Sequence, residues 1–376
     1  MRIIGSRAVV PIFAVVLVIG TYFATAGPLD PPAGPVTSTY KTLVEVEPRI
    51  AINSTNTRGG ATSTFRITQP GSYYLPGNVT GSSGRNGIEI ASDNVTIDLM
   101  GFTMQGVAGS LSGITAAAVH RNITVRNGMV TGWGEDGVNI QGGAPPEAGS
   151  QVEHIIASSN GASGIRSGLA SVVRNCTSHN NGFFGISAHA GSVISHCVVY
   201  ANGGTGISTP NFCTITHCVS RNGLASGISA GAACVVTHCV AASNAVVGIR
   251  ASSGSTISHC SSYLNGDSGI ETPGTCLILH NQCHDNVGAG IEVVSDDARI
   301  EGNNCTENAI GIHVDGVGNY IVRNTCSGNT TANWDIVANN VVGPIINRTA
   351  PGSAAIFGDA APDSTGSDHP NANFTY

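Results

Sequence analysis

The chain has 376 residues, of which 50 are glycine, 10% are charged and 5% are aromatic. Length alone leaves room for two or three domains, but a core so poor in rings must be filled by small aliphatic side chains in a regular arrangement, which points to a repeat fold. The formal charge is −7 and Lys41 is the only lysine, so lysine catalysis is nearly excluded, and no basic, aromatic-flanked patch offers the electrostatic footprint of a nucleic-acid binder.

In chain order, residues 1–26 read as an export signal: Arg2 and Arg7 form a positive start, Val9 to Ile19 an apolar run, and Ala24-Thr25-Ala26 a small-residue cleavage site. Pro11 and Gly20 interrupt the run and no second apolar span follows, so cleavage is expected rather than a lasting anchor. The mature protein is then expected to be secreted, periplasmic or on the cell surface, with no stable membrane insertion. Residues 27–39 are rich in Pro and Gly and read as a linker. Residues 40–83 are expected to cap the open end of the array that follows, because an uncovered solenoid end exposes unpaired strand edges.

The array is expected over residues 84–347. Gly followed by Ile occurs at 164/165, 185/186, 206/207, 227/228, 248/249, 269/270, 290/291 and 311/312, always 21 residues apart. Looser copies precede them at Gly87-Ile88, Gly113-Ile114 and Gly137-Val138. A second column runs Ile194, Ile215, Val236, Ile257, Ile278, and a third Asn181, Asn202, Asn244, Asn265, Asn286. The apolar runs are too short for a helical repeat, so each unit reads as three short strands joined by bends. Three such strands close one rung of a parallel β-helix, with successive rungs about 4.8 Å apart. The expectation is an all-β, single-stranded right-handed parallel β-helix of roughly 11–12 rungs, about 21 residues each. Residues 348–376 lose the period and are expected to be a loosely ordered tail.

Segments such as Asn94 to Gly106, Val193-Ile194-Ser195-His196-Cys197 and Asn202 to Ile207 resemble the right-handed parallel β-helix repeats of the pectate-lyase-like superfamily. The resemblance covers about Gly84 to Asn347. It implies the fold; the superfamily includes polysaccharide lyases, glycoside hydrolases, epimerases, phage tailspikes and adhesins, so it does not imply one activity. The chain departs from the catalytic patterns: it lacks the Asn-Thr-Asp, Gly-His-Gly and Arg-Ile-Lys set of polygalacturonases and the Asp-Pro-His motif of alginate epimerases.

Two polar ladders accompany the repeat. Cys176, Cys197, Cys218, Cys239 and Cys260 form one column, Cys213, Cys234 and Cys276 another in which Ser171, Ser192 and Ser255 fill the gaps, and Cys283, Cys305 and Cys326 are expected to continue the first after small shifts. Export favours disulfides, but an odd count of 11 and side chains pointing the same way favour small packing residues, with an inter-rung disulfide as the alternative. His196, His217, His238, His259 and His280 stand one residue earlier. A straight ladder supplies one ligand type along one line rather than tetrahedral convergence, so stacking at a bend is expected instead of a metal array.

Candidate chemistry lies at the C-terminal rungs. The outward positions after the Gly-Ile column read Arg166, Ser187, Ser208, Ser229, Arg250, Glu271, Glu292, His313. Glu271 and Glu292 would stand one rung apart, near the roughly 5–5.5 Å carboxyl separation of retaining glycosidases, which makes them catalytic candidates with Arg250 and His313 flanking. Asp296, Asp297 and Asp315 are candidate ligands for Ca²⁺, a cation that the resemblance implies because many β-helix lyases bind acidic sugars through it. Trp133 beside Glu135 and Asp136 is a candidate sugar-stacking site. The plainer alternative for both groups is a solvated charged face. The expected function is a non-catalytic surface or matrix protein that binds polysaccharide or a partner along one face; the alternative is a polysaccharide lyase or glycoside hydrolase.

Overall fold

One rung shows how the sequence makes the structure. Ile186–Ala188, Val193–Ser195 and Val198–Tyr200 are its first, second and third strands. Strand alternation sends Ile186, Ile194 and Val199 into the core and Ser187, Ser195 and Tyr200 toward solvent. Between strands the chain turns through single left-handed residues, Gly191 at φ 71°, His196 at φ 54° and Ala201 at φ 52°. Each such residue bends the strand at a corner and restarts the alternation, so His196 faces out and Cys197 in.

The computed structural model describes residues 47–116, 118, 120–142, 149–347 and 369–376. The export signal and linker expected over residues 1–39 lie outside these, as do residues 40–46 and 348–368. Arg49–Tyr376 form one unit. The first strands stack in a 13-stranded sheet, and the others form a 26-stranded one. Every strand pair along the Gly-Ile column is parallel, from Ile165 against Ile186 to Ile291 against Ile312. All eight of these isoleucines are 0% exposed. Ser63–Ile67 pairs in parallel with Asn86–Ile90 ahead of the regular repeat, and Ala332–Ile336 extends it beyond Ile310–Val314. At the far end Asn373–Thr375 adds a strand against Thr325–Ser327 and Ile345–Asn347.

Buried amides join the rungs. Asn181 Nδ2 donates to Asn202 Oδ1 at 3.0 Å, and Asn265 Nδ2 to Asn286 Oδ1 at 2.9 Å, while the same oxygens accept the backbone N–H one rung earlier. Each amide oxygen therefore satisfies two donors of the rung before it inside the core, where an unpaired polar group would be costly.

The cysteine columns sort differently from the expectation. Cys234 Sγ accepts from Cys213 N at 3.3 Å, just as Ser192 Oγ accepts from Ser171 N and Ser255 Oγ from Cys234 N, both at 3.1 Å. Sulfur and hydroxyl thus do one job, which is why they interchange. The first column does not continue into Cys283, Cys305 and Cys326. It passes from Cys260 to Asn281, Asn303 and Asn324, whose amides take over the rung-to-rung bonds at 3.0 Å. Cys283 instead stands over Ser262, inside the third strands, with Cys305 and Cys326 above it. All 11 cysteines are buried and free. Hydrogen bonding with Cys197 and Cys239, together with burial, pushes the Cys218 thiol far above its ordinary value, so it stays a thiol.

Candidate functional site

The charged column of the first strands is in register: Arg250 stands beside Glu271, Glu271 beside Glu292, Glu292 beside His313, and His313 beside Asp335. The four catalytic candidates are therefore brought together. Their polar atoms face protein partners: Arg250 Nη2 donates to Glu271 Oε2 at 2.6 Å, and Ser268 Oγ donates to Glu292 Oε2 at 2.6 Å. His313 Nε2 lies 3.1 Å from Asp315 Oδ1 and 3.6 Å from Asp335 Oδ2. The earlier rungs behave alike, with Arg66 on Glu89 at 3.1 Å and Arg166 on Asp136 at 3.6 Å.

The proposed metal ligands are not assembled. Asp296 Oδ1 accepts the backbone N–H of Val317 at 2.8 Å, and Asp315 faces His313. Among the described residues no three His, Cys, Asp or Glu side chains form a group that could hold a metal ion. With Asp296 bound to a backbone N–H, Asp297 at a left-handed turn position (φ 61°) and Asp315 against His313, the donor set does not fit Ca²⁺.

The Trp133 site is also corrected. Trp133 is 1% exposed, and its Nε1–H donates to the Met104 carbonyl at 3.1 Å. The room for it comes from glycines on earlier rungs: a Cβ on Gly81 or Gly87 would lie 2.8 or 2.7 Å from the indole. The ring is core, and no sugar can stack on it. Buried Asp136 accepts from Ser163 N at 2.9 Å and Asn139 Nδ2 at 2.7 Å, fixing a turn. Glu135 is exposed and accepts from Ser112 Oγ at 3.1 Å.

Half-buried rings gather elsewhere. On the third strands His179, Tyr200, Arg221, Ala242, Tyr263 and His284 form one outward column. His179 stacks on Tyr200 at 4.6 Å and Tyr263 on His284 at 4.8 Å, each within 3° of parallel. The Arg221 guanidinium lies 4.9 Å over the other face of Tyr200, a cation–π contact. The sequence carries this column at the same 21-residue step, but its side chains differ from rung to rung, so no repeated letter marks it.

The histidine ladder forms as expected. His196, His217, His238 and His259 are exposed and stack at 5.0 Å, within 5° of parallel. His280 sits 5.4 Å from His259 and tilts by 40°, leaning over Gly302, where a Cβ would collide with its ring. A shallow groove of about 430 Å³ runs along His238, His259 and His280 on one side and Val240, Ser261 and Gln282 on the other. The candidate glutamates do not line it.

These features place the chain in a class of stacked-rung β proteins that present long, regular side-chain columns. It belongs to the family described as the right handed beta helix region, matched over residues 78–232 and 208–347. The A-module of Azotobacter vinelandii mannuronan C-5 epimerase AlgE6 is similar in structure, with a TM-score of 0.60 at 18% identity, over 73% of this chain and 91% of that one. The AlgE4 A-module of the same organism gives a TM-score of 0.52 at 20% identity, with the same coverage. No curated protein matches this chain in sequence.

Proposed function

We propose that the protein is exported and binds a polysaccharide along the side formed by the histidine ladder and the third-strand rings, without cleaving it. One observation carries this reading: the half-buried rings of Tyr263 and His284 stand on the rungs of the groove of about 430 Å³, two residues beyond its Ser261 and Gln282, and His179 and Tyr200 continue their column on earlier rungs. Tyr hydroxyls and imidazole nitrogens both donate and accept hydrogen bonds, and the Val240, Ser261 and Gln282 column between them mixes apolar and polar contact. A hydroxyl-rich polymer needs that mixture repeated along its length, and the rungs repeat it. The export signal read from residues 1–26 and the fold shared with modules named for mannuronan, a polysaccharide, support the same reading.

Binding to immobilised acidic and neutral polysaccharides tests it. Tyr200→Ala/Tyr263→Ala is expected to weaken retention about tenfold, the scale of losing a buried aromatic anchor, and Glu271→Gln/Glu292→Gln to leave it unchanged. Retention that depends on the glutamates and not on the tyrosines would reject the proposal. A second reading, glycan cleavage, is favoured by the register of Glu271 and Glu292. It requires new unsaturated or reducing ends that vanish in Glu292→Gln.

A further inference from the structure

Five exposed imidazoles, His196 to His280, occupy one corner of five successive rungs with ring centroids 5.0 to 5.4 Å apart. The Thr216 and Thr237 hydroxyls lie 2.8 and 2.9 Å from Nδ1 of His217 and His238. A hydroxyl can donate or accept, so it holds the ring in either protonation state. Among the described residues, Nε2 of those rings has no protein partner.

Among the described residues no acid stands alongside the ladder. The adjoining second-strand positions are Ser195, Thr216, Thr237, Ser258 and Leu279, and the adjoining third-strand positions are Val198, Val219, Val240, Ser261 and Gln282. Beyond them lie His179, Tyr200, Arg221, Tyr263 and His284. The described acids nearest it occur at its ends, and each has a partner: Glu153 with Arg174 at 2.6 Å, Asp285 with His284 at 2.8 Å, and Glu301 with Arg299 at 2.6 Å and Arg323 at 3.0 Å. Asn175 and His154 continue the corner below His196, and Gly302 and Arg323 continue it above His280.

We propose that this corner is a proton-gated binding strip for an acidic polysaccharide, a linear chain with one carboxylate per sugar laid along the axis of the stack. Imidazole changes charge between about pH 5 and about pH 8, while carboxylates stay ionised down to about pH 4. Protonated, the ladder is a row of positive charges at one-rung spacing, close to the rise per sugar of an extended pyranose chain, so each carboxylate that faces the strip meets a cation at matching height. Neutral, it offers no such attraction, and the net charge of −7 on the chain opposes a polyanion. Because the anion favours the protonated ring, binding near neutral pH draws protons from solution. The strip rests on the polysaccharide-binding reading above, and adds to it the ligand class and the gate.

Isothermal titration of the whole protein with a polyuronate of defined length, and with the same polymer after carboxyl reduction, separates the two ideas. Polyuronate is expected to bind at least about tenfold more tightly at pH 5 than at pH 8, as several weak exposed ion pairs add. The gain should shrink with salt. Heats measured near pH 7 in two buffers should differ by the proton uptake. The His217→Asn/His238→Asn/His259→Asn variant should lose both the gain and the uptake. It is expected to fold, because Asn tolerates left-handed backbone and already holds this corner at Asn127 and Asn175, with φ of 60° and 53°; an unchanged melting temperature checks this. Polyuronate affinity equal at both pH values, or a gain that survives in the variant, overturns the strip. If the neutral polymer still binds in that case, the polysaccharide reading stands alone. Binding of neither polymer at either pH removes both. Single-stranded DNA bound as tightly as polyuronate at pH 5 overturns the assignment to a glycan.

Discussion

On the first strands the outward charged groups meet protein partners, as Arg250 does with Glu271, Glu292 with Ser268 and His313 with Asp315. At the corner before the third strands five imidazoles follow one another, with no acid beside them among the described residues. The scaffold beneath is the same: parallel rungs with small apolar side chains inside. The difference lies in which residue types the repeat places one above another. Opposite charges in a column close on themselves and leave little for a ligand, whereas imidazoles stacked face to face do not hydrogen-bond one another and keep their edges open to solvent. A concentration of charge in the sequence is therefore a poor guide to a binding face in this fold.

The largest expected effect comes from breaking what both columns share. Ile228→Asp places a charge without a partner in a core where Ile207 and Ile249 lie above and below it. It should cost about 4 kcal/mol or more, enough to unfold many domains, and both surfaces should be lost together. A folded variant by circular dichroism, with a melting temperature near the wild-type value, would contradict the packing described here.

A smaller loss is expected directly beneath the ladder. Cys218 is 0% exposed and its sulfur lies 3.7 Å from the Ile194 carbonyl. Cys218→Ala removes one atom from a thiol stack and should cost about 1–2 kcal/mol by denaturant unfolding. All 11 thiols should react once the chain is unfolded without reductant. A count of one would mean that the columns are bridged, and the loss on substitution would then be far larger.

The Gly-Ile repeat made the core legible because in a stacked coil the sequence period is the register itself: residues 21 apart are neighbours, and all eight isoleucines stand where the period puts them. Legibility failed where geometry depends on something other than the period. Trp133 looks like a surface ring beside two acids until Gly81 and Gly87, on other rungs, are seen to make room for it. Cys283 looks like a continuation of Cys260 until Asn281 takes that place and longer steps, such as the 22 residues from Asn281 to Asn303, shift the numbering. Asp296, Asp297 and Asp315 look like one cluster because they recur about one period apart, but Asp296 is taken by the Val317 N–H and Asp315 by His313. The ring column was missed because its members change from rung to rung.

The smallest expected effect concerns a histidine of the ring column that is closed where the ladder is open. His179 lies flat on Tyr200, and its Nδ1 is buried without a hydrogen-bond partner. Burial lowers its pKa below the ordinary value, because a protonated ring there would lose water and find no acceptor for the new N–H. The sign follows from linkage. As pH falls through about 6.5 the unfolded chain takes up this proton before the folded one, so stability is full above that pH and declines below it. The ring is only partly buried, so solvent screening should keep the loss below about 1 kcal/mol. His179→Phe keeps the stacking and removes the titration. Urea unfolding at a series of pH values between about 8 and about 5 should then show the wild type losing more stability than the variant as the medium becomes acidic, with the two close together at the alkaline end. Parallel curves would mean that His179 finds an acceptor on protonation, and that the contrast between closed and open rings does not extend to this column.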